Sequence, residues 1–192
     1  LDAADFTSST GKISNGADLN GSSSYFEAST INLSGNHSFT IAGWFNVTDY
    51  SSPRVLLAQF GDIGTQGQAY QVYINTDGTI RLQVHSSGST TEFTSSGTVS
   101  AGTWQFICLR HDHTTQTMYL TVDTTADPFT YTGTVDNCSQ HLRIGCNGDS
   151  SGGYPAYFFY GKLDEWSAWN YKIDDTAVAA VYNSGAGAQP PF

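Results

Sequence analysis

Residues 70–85 read Tyr-Gln-Val-Tyr-Ile-Asn-Thr-Asp-Gly-Thr-Ile-Arg-Leu-Gln-Val-His, and their period decides the fold class. Apolar and polar side chains alternate on both sides of Thr76-Asp77-Gly78, the pattern of two half-buried strands. A three-residue loop with Gly in the left-handed position closes such a hairpin. It sets Ile74 opposite Ile80, Val72 opposite Leu82 and Tyr70 opposite Val84. All six then share one face, which must be the core face. A two-residue loop would set Ile74 opposite Arg81 and is rejected. The opposite face carries Gln71, Tyr73, Arg81, Gln83 and His85.

The same reading extends outward. Short β-branched and aromatic runs alternate with Gly, Ser, Asn and Asp clusters. The predicted strands are 16–19, 25–27, 39–47, 55–60, 70–75, 79–85, 90–94, 104–111, 118–123, 142–144 and 161–169. In the strand over 118–123, Met118, Leu120 and Val122 point inward, and Tyr119 and Thr121 point outward. If that strand lies beside the hairpin, Tyr119 joins Tyr73, Arg81, Gln83 and His85 on one sheet face. Only the tail reads as helix: Asp174-Asp175 can cap 176–182, and Gly185 can close it. The whole chain, 1–192, reads as a single domain with residues 186–192 as a tail or linker.

Composition narrows the function. The net charge is −10, which argues against nucleic-acid binding, since that needs a basic patch, and equally against an anionic membrane surface. No window approaches the roughly 20 apolar residues of a membrane-spanning helix. The opening Leu1-Asp2-Ala3 has no initiator Met and no basic export segment, and reads as a processed protein or a piece of a longer one. Cys108 sits in a buried-strand run, while Cys138 and Cys146 flank a strand that would hold them about 25 Å apart. No disulfide is expected, because a bridge needs Cα atoms within about 7 Å.

Six segments in order carry a family resemblance. Asp18 to Phe26 resembles the opening of concanavalin A-like, laminin G-type jelly rolls. The runs Phe39–Phe45, Ala101–Phe106, Leu120–Asp123 and Gly161–Trp166, and the helix Asp175–Tyr182, are similar to its later strands and closing helix. The resemblance implies an all-β, two-sheet antiparallel jelly-roll sandwich of about 12–14 strands with one short C-terminal helix.

The family contains enzymes, lectins and adhesion modules, so each must be tested on the residues. The retaining glucanases carry a Glu-x-Asp-x-x-Glu strand. Here none of Glu27, Glu92 and Glu165 has Asp two positions on. The alginate lyases carry a Gln-[Ile/Val]-His strand, which Gln83-Val84-His85 matches, but their Arg-Glu-x-Arg partner is missing. Pentraxin-like members bind Ca2+ through rim loops. The resemblance carries that role to Asp62, Asn147 and Asp149, in Gly-spaced loops whose oxygens suit a hard cation. It also carries a structural Ca2+ to Asp164, against which stands a hydrogen bond from Asp164 or Glu165 to the opening strand. His111-Asp112-His113 offers a paired-histidine metal reading with no third ligand.

The remaining chemistry is sugar recognition, in which rings stack on aromatic faces and planar amides and charged forks exchange hydrogen bonds. The face of Tyr73, Arg81, Gln83, His85 and Tyr119 has these groups, as does the loop Tyr154-Pro155-Ala156-Tyr157. The expectation is a non-catalytic extracellular module that binds polysaccharide or glycan with Ca2+ assistance. It would work outside the cell or on a cell or virion surface, with no nucleic-acid partner and no membrane insertion. The alternatives are a virion decoration, tail or fibre module acting by protein–protein assembly, and a polysaccharide lyase.

Overall fold

The computed structural model describes residues 2–4, 6–28, 30–61, 67–148 and 155–188. Among them run β1 (Asp2–Ala4), β2 (Thr7–Thr10), β3 (Asn15–Asn20), β4 (Tyr25–Ala28), β5 (Phe39–Val47), β6 (Arg54–Phe60), β7 (Gln68–Ile74) and β8 (Thr79–Ser86). They are followed by β9 (Ser89–Thr98), β10 (Gln105–Asp112), β11 (Thr117–Val122), β12 (Thr125–Thr130), β13 (Leu142–Ile144), β14 (Asn147–Gly148), β15 (Pro155–Ala156), β16 (Tyr160–Trp169) and α1 (Asp175–Tyr182). Two seven-stranded antiparallel sheets form: β1-β4-β13-β6-β7-β8-β9, the front sheet, and β12-β11-β10-β5-β16-β3-β2, the back sheet. β14 and β15 pair separately as a short ribbon.

The β7–β8 hairpin has the expected register, with Tyr70, Val72 and Ile74 opposite Val84, Leu82 and Ile80. Gly78, at φ +82°, supplies the left-handed turn residue, and its N–H donates to the Asn75 carbonyl. All six apolar side chains are fully buried in one core with Phe39, Ile41 and Phe45 of β5 and Met118 and Leu120 of β11. Burying each such side chain contributes roughly 1.5–3 kcal/mol, so the two sheets are held together through this core.

A second, smaller cluster lies on the far side of the back sheet. There Val178 and Val181 of α1 pack on Trp44 and Phe106, with Tyr182 stacked on Trp44 at 5.7 Å. The helix starts where the Asp174 carboxylate accepts from the Ala177 N–H at 2.7 Å. It ends at Asn183, in the left-handed region, ahead of the predicted glycine at 185. This helix covers part of the back sheet's outer surface; the front sheet's outer face carries a cleft. All three cysteines are free and buried.

Candidate functional site

Period-two alternation that sends Val72 and Leu82 inward sends Gln71, Tyr73, Arg81 and Gln83 to the front sheet's outer face. Strand pairing then lines up one row across six strands: Glu27, Arg143, Ala58, Gln71, Gln83 and Glu92. Five of the six are polar. Ala58 is the small one, and the chain crosses over it.

That crossing depends on glycine. At Gly145 (φ +93°) the chain leaves β13, its N–H donating to the Leu56 carbonyl at 2.9 Å. β14 then packs against β6 so closely that a Cβ on Gly148 would sit 2.4 Å from the Phe60 carbonyl oxygen. The result is a wall above the sheet. Between it and β7 lies a cleft of about 190 Å3, lined by Pro53, Val55, Gln71, Tyr73, Asn147 and Tyr157. Tyr157 is 58% exposed, holds a positive φ of +52°, and accepts a hydrogen bond from the Val55 N–H. Tyr73 lies half-buried on an outer apolar patch of Val55, Ala58 and Phe60. Burial raises its phenol pKa, against the opposing influence of Arg81.

The polar floor is a connected network. Asn147 Nδ2 donates to Gln71 Oε1 at 2.9 Å, Gln71 Nε2 to Gln83 Oε1 at 2.5 Å, and Gln83 Nε2 to Glu92 Oε1 at 2.8 Å. Arg81 Nη1 donates to the other Glu92 oxygen at 3.0 Å. On the far side of Ala58, Arg143 Nε donates to Glu27 at 2.8 Å and Nη2 donates to Gln140. Burial alone would raise the Glu27 pKa; the hydrogen bonds from His141 and Arg143 lower it overall. Asn147 Oδ1, Arg143 Nη1 and Arg81 Nε are buried with no hydrogen-bond partner among the described residues. Buried polar atoms are nearly always paired; among the described residues the back sheet also holds unpartnered ones, on Trp44, Arg110 and Thr121, and Asn147 is the residue with such an atom that lines the cleft.

The sequence-predicted residues divide as follows. Tyr73, Arg81 and Gln83 share the front face. His85 has the same orientation but is 9% exposed, edge-on to the Phe60 ring and bonded to Thr90. Burial lowers its pKa. Tyr119 does not join them: β11 belongs to the back sheet, where the Tyr119 ring packs against Arg110 and Lys172, each 5.2 Å from its centroid. Period two fixed its outward direction, but not which sheet it served.

Of the rim residues, Asp62 and Asp149 lie outside the described residues, as does Tyr154, while Asn147 lines the cleft. Asp164 sits in the back sheet, its oxygens accepting from the Ile13 N–H at 2.7 Å and the Glu165 N–H at 3.0 Å. There it ties the turn before β3 to β16. Among the described residues no three His, Cys, Asp or Glu converge as a metal cluster. His111 uses both ring nitrogens, on the His37 carbonyl and the Tyr131 hydroxyl.

The sequence reading left Glu92 and Arg143 out of its candidate site and offered Tyr157 only as part of a separate loop at 154–157. Glu92 follows from the β8–β9 register; Arg143 and Tyr157 depend on long-range pairing. A larger cavity of about 440 Å3 opens between the sheets, near Phe6, Phe26, Ile41 and Trp166. Its walls are mostly apolar, unlike the networked face.

A two-sheet antiparallel sandwich with short helical closure and a polar, aromatic cleft on one outer face defines a jelly-roll protein of the lectin-like kind. The chain belongs to the Concanavalin A-like lectin/glucanases superfamily, whose laminin G 3 family model matches residues 20–179. No curated protein matches it by sequence.

Among solved structures it is similar to domain 4 of the extracellular arabinanase AbnA of Geobacillus stearothermophilus, in complex with arabinotriose. That match has 16% identity and a TM-score of 0.67, covering 96% of this chain and 82% of that one. It is also similar to the Ruminococcus gnavus IT-sialidase CBM40 bound to α2,3 sialyllactose, at 16% identity and TM-score 0.67, covering 86% and 95%. A third is the SAP-like pentraxin of Limulus polyphemus, at 15% identity and TM-score 0.62, covering 86% and 77%. At these identities the shared property is the fold.

Proposed function

We propose that this chain is a non-catalytic glycan-binding module whose site is the cleft between β7 and the β14–β15 ribbon. The observation that carries the proposal is the pairing of two tyrosines, Tyr73 and Tyr157, with a buried, unpartnered amide oxygen, Asn147 Oδ1, in one cleft. Sugars need both kinds of group: an aromatic face for their C–H surface and fixed polar groups for their hydroxyls. Structural neighbours solved with sugars, an arabinanase domain with arabinotriose and a CBM40 with α2,3 sialyllactose, support the reading.

The cleft has room for about one sugar ring. At roughly 0.3 kcal/mol per non-hydrogen atom, a ring of about 12 such atoms gives about 4 kcal/mol, a millimolar Kd. Tighter binding would come from several copies on one polymer. The carboxylates favour binding over hydrolysis. Glu27 and Glu92 lie five strand spacings apart, about 24 Å. Glycosidase pairs stand about 5–9.5 Å apart. Ca2+ assistance belongs to the same proposal, since an amide oxygen such as Asn147 Oδ1 is a hard donor of the kind Ca2+ takes. So does an extracellular or surface setting, where glycans are displayed.

The test is a screen of immobilised glycans with wild type, Tyr73→Ala and Asn147→Ala, each with Ca2+ and with chelator. Binding by wild type that both substitutions weaken at least tenfold supports the cleft. Loss with chelator adds the ion. A wild type that binds no glycan overturns the proposal.

A further inference from the structure

Asn147 lines the cleft with its Nδ2 committed to Gln71 and its buried Oδ1 left unpartnered among the described residues, and we infer that Glu92, outside the cleft, is the positioning residue that decides which end of this amide is left for a ligand. The inference rests on the glycan reading of the cleft and specifies what that site takes: a neutral glycan that places a hydroxyl donor against Asn147 Oδ1.

A side-chain amide has one accepting end and one donating end, and nothing in its own shape prefers either orientation. In this relay each amide meets the next head to tail, from Asn147 through Gln71 and Gln83 to Glu92. Turning any one amide alone would bring two acceptors or two donors together at its contacts, so the three amides turn together or not at all. Glu92 closes the chain. A carboxylate only accepts, so it demands the N–H end of Gln83. That leaves the Gln83 oxygen for Gln71, the Gln71 oxygen for Asn147, and the Asn147 oxygen for the ligand. Arg81 holds the second Glu92 oxygen at 3.0 Å and keeps the carboxylate aimed.

The consequence is chemical selectivity set from three residues away. The Asn147 oxygen is buried and has no protein donor among the described residues. It accepts from a sugar hydroxyl and opposes any ligand atom that can only accept, such as a carboxylate oxygen, a fluorine or a methylated position. An array of polar side chains of this kind acts as one unit, because each bond fixes the next.

The experiment follows the side-chain amide signals of the full chain by 1H–15N NMR, in wild type and Glu92→Gln, with arabinotriose and α2,3 sialyllactose as probes. Glu92 is exposed, so the substitution leaves the core intact. Gln at 92 can donate as well as accept, which removes the instruction. The expected result is that the Asn147 amide signals shift or split in Glu92→Gln, although residue 92 does not touch Asn147. The Kd for arabinotriose rises about 5–10-fold, the worth of one neutral hydrogen bond, and the preference for arabinotriose over sialyllactose narrows. Perturbation confined to Gln83, or an unchanged Kd for arabinotriose, overturns the relay. If neither sugar moves the backbone amide signal of Tyr73 or the side-chain amide signals of Asn147 in wild type, the glycan reading falls. The amide spectra of the free proteins still judge the relay.

Discussion

Acidification from pH 7 to 4.5 is expected to remove about 2 kcal/mol of folding stability through one interior residue, His111. The ring is fully buried, 5.2 Å from Phe39. Its Nδ1–H donates to the His37 carbonyl at 2.8 Å, which leaves Nε2 to accept from the Tyr131 hydroxyl. Protonation would charge a ring in an apolar pocket and reverse the Tyr131 bond. Burial, the largest influence, pushes the pKa down from 6.5 to about 4, although the His37 carbonyl pulls the other way.

The unfolded chain therefore takes up a proton near pH 6.5 and the native protein only near pH 4. Between these values the unfolded state holds more protons, so stability falls as the pH falls. At about 1.4 kcal/mol per pH unit the loss is about 2 kcal/mol by pH 4.5 and about 3 kcal/mol once both forms are protonated. The carboxylates with lowered pKa values, Glu27, Asp49, Asp77 and Asp112, act in the same direction but only below their unfolded values of 4.5 and 3.8. His85, lowered by burial, adds a smaller slope within the window.

Urea titrations of wild type and His111→Gln at pH 7, 6, 5 and 4.5 measure it. The variant should start less stable at pH 7 and lose most of the slope. A flat wild-type profile, or an equal slope in both proteins, refutes the reasoning.

Removing the Asp164 carboxylate with Asp164→Ala strips the acceptor from two backbone N–H groups, and urea denaturation should show a loss of about 1–3 kcal/mol with glycan affinity unchanged. Burial pushes the Cys108 and Cys146 thiols up to about 12 and also raises that of Cys138. A colorimetric thiol reagent at pH 8 should find almost no reactive thiol in the native protein and three after denaturation; fast native reaction, or fewer than three, contradicts this.

The hairpin was legible because its information is local. A loop of known length and a period of two determine six pairings without any knowledge of the rest of the chain. Edge strands carry less signal. Thr7–Thr10 and Thr125–Thr130 bury almost nothing and so show no apolar alternation. Pro128 in the second reads as a strand breaker, yet it is tolerated because β12 has a neighbour on one side only. Sheet membership was not legible either. Met118 and Leu120 point inward in whichever sheet β11 is placed, which is why Tyr119 could be assigned outward correctly and to the wrong surface.

The site is half local and half remote for the same reason. Tyr73, Arg81 and Gln83 came with the hairpin; Arg143 reaches the same face, and Asn147 its bond to Gln71, only because β13 is paired next to β6, some 85 residues back in the chain. The chemical kind of Asn147, an oxygen donor in a Gly-rich loop, was readable, but its partner Gln71 was not. Core and site are nevertheless one problem. If β7 slipped by one residue against β8, the amide relay would break and the apolar side chains of β7 would turn toward solvent. Exposing Tyr70, Val72 and Ile74 would cost about 4.5–9 kcal/mol at roughly 1.5–3 kcal/mol each, comparable to the whole stability of a typical domain. The alignment of Gln71 with Gln83 is therefore held by Val72 against Leu82, and the cleft needs no separate scaffold to keep its amides in line.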